Sequence, residues 1–258
     1  MPPLDRIDIN CDMGEFAEAI ADGTQEALMP HLTSVNIACG GHAGDEETMR
    51  ITVAQAMRYG LAIGAHPGYP DRANFGRLEL DLPLDALAES ICRQVARLAA
   101  VVDKAGTKMI HVKPHGALYN QAVRNRDLAR AIAGGVARFD RTLVLMGLAG
   151  SPMLDAFRDA GFAVAAEAFA DRRYEPDGSL RPRRFEDALI RDPEQAARQA
   201  LGIARDGRVI ASDGAEVSLR AETICIHGDT PGAPAIAAAV ARMLGDNGVV
   251  LRPVRSAC

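Results

Sequence analysis

Short apolar runs alternate along the chain with longer stretches whose apolar positions recur every three or four residues. The runs fall at residues 6–11, 34–39, 61–65, 109–112, 143–146, 162–166 and 223–226. Their lengths and flanks suit buried parallel strands. The clearest helical stretch is 84–105, where Leu84, Leu87, Ile91, Val95, Leu98 and Val102 share one face. Further helices are predicted over 45–59, 126–139, 151–160, 193–205 and 234–244. Asp192-Pro193 reads as an N-cap followed by proline at the first helical position. Gly60, Gly106 and Gly161 each follow a helical stretch, where a left-handed C-cap is wanted.

Strand–helix alternation of this kind implies right-handed parallel crossovers. About seven such units in 258 residues favour an α/β fold closed as a TIM-like (β/α)7 barrel, a single domain over 1–258. One interruption is expected. Residues 209–211 and 217–219 flank Asp213-Gly214 and predict a small inserted hairpin before the last strand.

Composition narrows the functional classes. Lysine and arginine number 29 against 34 acidic residues, a formal charge of −5. That removes the electrostatic attraction on which most nucleic-acid binding rests. Aromatics are only 4% of residues and tryptophan is absent, so the core must be aliphatic. The N-terminal Met1-Pro2-Pro3-Leu4-Asp5-Arg6 has no basic region followed by an apolar run, and no targeting signal is read there. Residues 27–44 lack formal charge, but Pro30, His31, Ser34, Asn36, Gly40, Gly41 and His42 make them unsuitable for hydrocarbon. The five cysteines form no C-x-x-C pair. A cytoplasmic protein with reduced thiols and no membrane contact is expected.

Polar residues collect just after the strands. Strand one ends in Asn10-Cys11-Asp12-Met13-Gly14-Glu15, and strand two runs from Asn36 through Gly40-Gly41-His42 to Asp45. The later ends carry His66, then His111-Val112-Lys113-Pro114-His115, then Glu167 to Tyr174, then His227-Gly228-Asp229. Parallel barrels gather these ends at one mouth, where active sites form. Asp12 is read as base or ligand. Lys113, one of three lysines, stands in an apolar strand and so is expected to be paired or working. His42, His66 and His115 are read as functional, and His111 as a structural histidine. Glu15, Asp45 and Asp71 are weaker candidates, since capping and surface roles explain them nearly as well. Arg172 and Arg173 are read as anchors for a carboxylate, against simple solvation. Gly40–Gly44 is a weak candidate anion cradle. No G-x-x-x-x-G-K-[ST] loop, G-x-G-x-x-G fingerprint, G-x-S-x-G elbow or HExxH pair occurs.

Six segments together carry a resemblance: 9–15 (INCDMGE), 36–45 (NIACGGHAGD), 66–77 (HPGYPDRANFGR), 112–120 (VKPHGALYN), 167–178 (EAFADRRYEPDG) and 226–233 (IHGDTPGA). In this order, over nearly the whole chain, they are similar to the LamB/YcsF family, the A subunits of bacterial ATP-dependent 5-oxoprolinase. The resemblance implies a deacetylase-like barrel. It also implies hydrolytic opening of 5-oxo-L-proline to L-glutamate, coupled to ATP with Mg2+, beside B and C subunits. On that reading Asp12 is the general base for water and His115 its acid partner or oxyanion donor, while Lys113 stabilises developing charge. Asn10, Asn36, His42, His66 and the His227–Asp229 pair wall the substrate, and Arg172 holds its carboxylate. The alternative is a metal-dependent amidohydrolase or carbohydrate deacetylase without ATP, with Asp12, His66 and His115 as ligands. A non-catalytic small-molecule-binding barrel is the reading outside enzymology, and a homo-oligomer is left open.

Overall fold

The computed structural model describes residues 6–255 of the chain. Residues 1–5, part of the stretch read above for a leader, lie outside them. The strands in chain order are β1 (Arg6–Met13), β2 (Ser34–Ala38), β3 (Ala62–His66), β4 (Met109–Val112), β5 (Val144–Leu148), β6 (Val164–Phe169), β7 (Arg208–Ile210), β8 (Glu216–Ser218), β9 (Thr223–Cys225) and β10 (Val250–Leu251). Strands β1 to β6 are parallel neighbours in sequence order. β9 pairs in parallel with both β6 and β1, and this closes a seven-stranded barrel. Every predicted run lies on a barrel strand. The expected hairpin is the antiparallel β7–β8 pair, Arg208 opposite Ser218. The sequence pattern did not predict β10, which lies parallel beside the start of β1.

The predicted helices form because their apolar stripes have a barrel to cover. In helix Leu84–Lys104 the residues Leu87, Ile91, Val95, Leu98 and Val102 are all buried, and Gly106 follows it at φ +76°. Asp45 caps helix Glu46–Arg58: its side chain accepts from Thr48 N while Thr48 Oγ1 accepts from Asp45 N. Asp192 likewise accepts from Gln195 N at the start of helix Pro193–Leu201. Asp71 only closes a local turn, accepting from Asn74 N at 3.2 Å. Asp45 and Asp71 thus have the structural roles that the sequence left open. The helix predicted to 205 ends at Leu201 and passes into a wider π-type turn, Gly202–Asp206.

The barrel interior decides where the chemistry lies. Most parallel barrels fill theirs with branched aliphatics, but this one is polar through several layers. On β1, Ile7, Ile9, Cys11 and Met13 join the main apolar core. The alternate residues Asp8, Asn10 and Asp12 hydrogen-bond instead to side chains on other strands. Only the β5–β6 side is apolar within, where Val144, Met146 and Ala165 form a small cluster of their own. Among the described residues no helix is long and apolar enough to cross a membrane. Cys11, Cys39, Cys92 and Cys225 are free thiols.

Candidate active site

The C-terminal strand ends open into a cavity of about 560 Å³ whose floor includes Asp12, His66, Lys113, His115, Phe169 and His227. Lys113, the first residue past β4, is held by its backbone N–H donating to Ala65 O. Its ammonium reaches across the barrel to Asp12 Oδ1 at 2.9 Å, Glu167 Oε1 at 3.0 Å and Cys225 Sγ at 3.0 Å. Burial alone would lower its pKa, but the charges of Asp12 and Glu167 hold it well above the ordinary lysine value. The ammonium is thus paired, as a lysine in an apolar strand requires. Burial would raise Asp12 too, yet His66 and Lys113 keep that carboxyl well below the usual range, so it stays ionised.

Beneath this pair lies a relay of amides. Asn36 Nδ2 donates to Asp12 Oδ1 and to Asn10 Oδ1, both at 2.8 Å, and Asn10 Nδ2 donates to Glu167 and Thr223. Both asparagines are fully buried and absent from the cavity lining. The sequence assigned them to the substrate wall. The structure corrects this, since their side chains are spent on orienting the charged floor. His111 matches its structural reading: Nε2 donates to Asn36 Oδ1 at 2.7 Å, and burial pushes its pKa down to about 3.

Three imidazoles gather on one side of Asp12. His66 Nε2 is 3.3 Å from Asp12 Oδ2 and 3.0 Å from His115 Nδ1. Glu15 Oε1 lies 2.8 Å from His42 Nε2, 3.2 Å from His115 Nδ1 and 3.7 Å from His66 Nε2. The rings of His42 and His115 stack at 3.5 Å. Burial lowers His42 to about 4, while Asp12 outweighs burial at His66 and raises it above the ordinary histidine value. Glu15, a weak candidate by sequence, is therefore central. Ligand atoms of Glu15, His42, His66 and His115 all lie within 4.8 Å of one another, whereas Asp12 falls in a second group with Cys225 and His227. The expected trio of Asp12, His66 and His115 changes accordingly: Glu15 takes the carboxylate place among the imidazoles, because Asp12 is turned toward Lys113.

The opposite wall holds a further correction. His227 is paired with Asp171, not with Asp229. Its Nδ1 stands 3.0 Å from Asp171 Oδ1, its backbone N–H donates to Oδ2, and Thr230 Oγ1 donates to the same oxygen at 2.6 Å. Burial would raise Asp171, but His227 and these donors hold it below its ordinary value. Asp229 instead clamps two rim guanidiniums, Arg77 at 2.6 Å and Arg183 at 3.0 Å. Arg172 lines the cavity, donates to Arg181 O, and is lowered to about 10 by burial and by the neighbouring Arg183. Arg173 is absent from the cavity lining. Gly40–Gly44 is packed shut. A Cβ at Gly41 would collide with Gln94 Oε1, and one at Gly44 with Ala38 O. These glycines permit close chain approach, and the Gly40 N–H is spent on Ala43 O.

Glu167, Asp171 and Cys225 belong to the candidate site but were not singled out by the sequence, although all three stand at strand ends. Only the inward–outward alternation of β6 and β9 could have picked out Glu167 and Cys225.

A closed parallel barrel that gathers an ionised acid, a buried ammonium and an oriented imidazole around one cavity at its strand ends is a TIM-like barrel. Within that class the chain belongs to the LamB/YcsF family, whose model matches residues 7–258. It is 51% identical over 249 residues to the 5-oxoprolinase A subunit of Chloroflexus aggregans, covering 96% of this chain and 99% of that one. The corresponding protein of Bordetella parapertussis is 48% identical, over 95% of this chain and 98% of its own length. Among solved structures, the lactam utilization protein of Thermus thermophilus is similar, with a TM-score of 0.90 and 42% identity, covering 96% of this chain and all of that one. A putative cellobiose-phosphate cleavage protein from Enterococcus faecalis shares the fold alone, at 15% identity and a TM-score of 0.55 over 95% of this chain and 96% of its own.

Proposed function

We propose that this chain opens the ring of 5-oxo-L-proline to L-glutamate, coupled to ATP hydrolysis, in an assembly with B and C subunits. The family membership and the names of its relatives support the substrate. The observation that carries the reaction class is the floor itself, where a buried ammonium and an ionised carboxylate 2.9 Å apart face a cavity shared with an acid-oriented histidine.

A five-membered lactam is an unreactive amide. Its hydrolysis needs an activated water, a cation for the developing oxyanion and a proton for the leaving nitrogen. Lys113 is the cation. Asp12, expected from sequence to be the base, is held too acidic to take a proton efficiently near neutral pH, and so it orients the water. The base is His227. With Asp171 fixing a proton on Nδ1, the other nitrogen is left bare, and the same ring then returns the proton to the leaving amine. His115 is not the acid partner, because the one proton of its neutral ring, on Nε2, is held by Phe75 O at 2.9 Å. Arg172 is the anchor for the substrate carboxylate.

ATP would supply a phosphoryl group to the amide oxygen, with ADP as the leaving group, making the amide carbon electrophilic; that group would depart as inorganic phosphate by the time glutamate is formed. The described residues offer it no glycine-rich cradle, so the nucleotide half-reaction is assigned to the B and C subunits. The purified chain alone is expected to release neither ADP nor glutamate from 5-oxoproline with Mg-ATP, and adding both partners restores the two products together. Glutamate and ADP formation by the isolated chain would refute this division. Glutamate release without ATP would favour the amidohydrolase reading, which the imidazole cluster supports.

A further inference from the structure

We infer that Glu15, His42, His66 and His115 form a binding site for one divalent cation of the zinc class, independent of the reaction proposed above. The protons on the rings carry the inference. His66 Nδ1 lies 2.8 Å from Lys113 O, and His115 Nε2 lies 2.9 Å from Phe75 O. A carbonyl only accepts, so both of these nitrogens hold protons, and in neutral rings His66 Nε2 and His115 Nδ1 are bare lone pairs. Yet those two atoms stand 3.0 Å apart. Two lone pairs at that distance repel unless a positive charge lies between them.

Glu15 Oε1 and His42 Nε2, 2.8 Å apart, both lie within 4.8 Å of those two atoms. A tetrahedral centre with bonds of about 2.05 Å sets its ligand atoms about 3.3 Å apart. The separations of 2.8, 3.0, 3.2 and 3.7 Å found here bracket that edge. One proton on His66, the rival occupant, can bridge to only one of these neighbours.

The surroundings are those of a built ligand set. Backbone carbonyls fix the orientation of two imidazoles, as outer partners of metal-bound histidines do. One of those carbonyls belongs to Phe75, at φ +56° the one non-glycine residue with positive φ among the described residues. Stacking on Phe16 at 4.9 Å holds it there. A bulky residue is kept in that region only where the fold over-determines it, and here the result is a carbonyl aimed at His115. Three imidazoles and one carboxylate suit Zn2+, Co2+ or Ni2+ rather than Mg2+ or Ca2+, which take oxygen ligands. His66 and His115 line the cavity, which gives an entry path.

The test uses the full chain alone, without nucleotide, lactam or partner subunits, so it stands apart from the catalytic proposal. Chelator-treated protein is titrated with Co2+, following the visible bands of four-coordinate cobalt and the metal content by elemental analysis. One Co2+ per chain is expected, displaced by Zn2+. Glu15→Gln and His42→Ala, each checked for folding by circular dichroism, should weaken binding tenfold or more. A wild-type chain that takes up no Co2+ overturns the site, and so does binding that survives both substitutions. If neither variant folds, imidazole 15N spectra of the wild-type chain decide the matter. Zn2+ should shift His42, His66 and His115 together, and unchanged rings would refute the assignment.

Discussion

Replacing Lys113 by methionine tests whether the buried charges of the barrel hold one another. The Lys113 side chain is 3% exposed and stands 2.9 Å from Asp12 and 3.0 Å from Glu167. At an effective dielectric of about 20, each pair at that distance is worth about 5 kcal/mol before desolvation is subtracted. Removing one partner of a buried pair costs about 3–5 kcal/mol net, because the carboxylates stay buried without their cation. At about 2–4 °C per kcal/mol for a chain of this size, the melting temperature of Lys113→Met should fall by about 6–20 °C. Glu167→Gln should cost less, since Lys113 keeps Asp12. In the double variant Lys113→Met/Glu167→Gln the two effects should fail to add by about 1 kcal/mol or more, in the stabilising direction. Urea unfolding of the four proteins at pH 7, followed by circular dichroism, measures the cycle. A Lys113→Met chain as stable as wild type, or strictly additive losses, would refute the reasoning.

Asp8 gives a pH-dependent prediction. Burial raises it to about 6, against hydrogen bonds from the Thr223, Thr33 and Ser34 hydroxyls. A folded pKa above the unfolded one means that its contribution to stability is complete below about pH 4 and lost as pH rises through 6. Asp8→Asn should therefore gain on wild type by about 3 kcal/mol between pH 4 and pH 7. A difference in urea midpoint that stays constant across that range would contradict this. At the opposite wall, Asp171→Asn should lower kcat about a hundredfold in the assembled enzyme while KM stays nearly constant, as expected for a group that acts through His227. A loss confined to KM would instead make Asp171 part of substrate binding.

The sequence by itself determined the strand–helix alternation, the caps at Asp192 and the helix-ending glycines, and the edge on which the chemistry collects. These are local facts. Strand and helix periods are written in neighbouring residues, and all parallel strands of a closed barrel end at one mouth. It also singled out Lys113, because an ammonium in an apolar run demands a partner. Only the tertiary structure decided which partners meet. His227 has Asp229 two residues away in sequence but bonds Asp171, 56 residues back, because β6 and β9 are neighbours while Asp229 turns outward to the rim arginines. Glu15 looked like a capping residue until the end of β3 and the loops after β1, β2 and β4 brought three imidazoles to it. Asn10 and Asn36 read as wall residues because sequence gives the face of a strand but not its depth. Barrel closure buried both beneath the floor, where an amide serves by orienting charge rather than by touching a ligand.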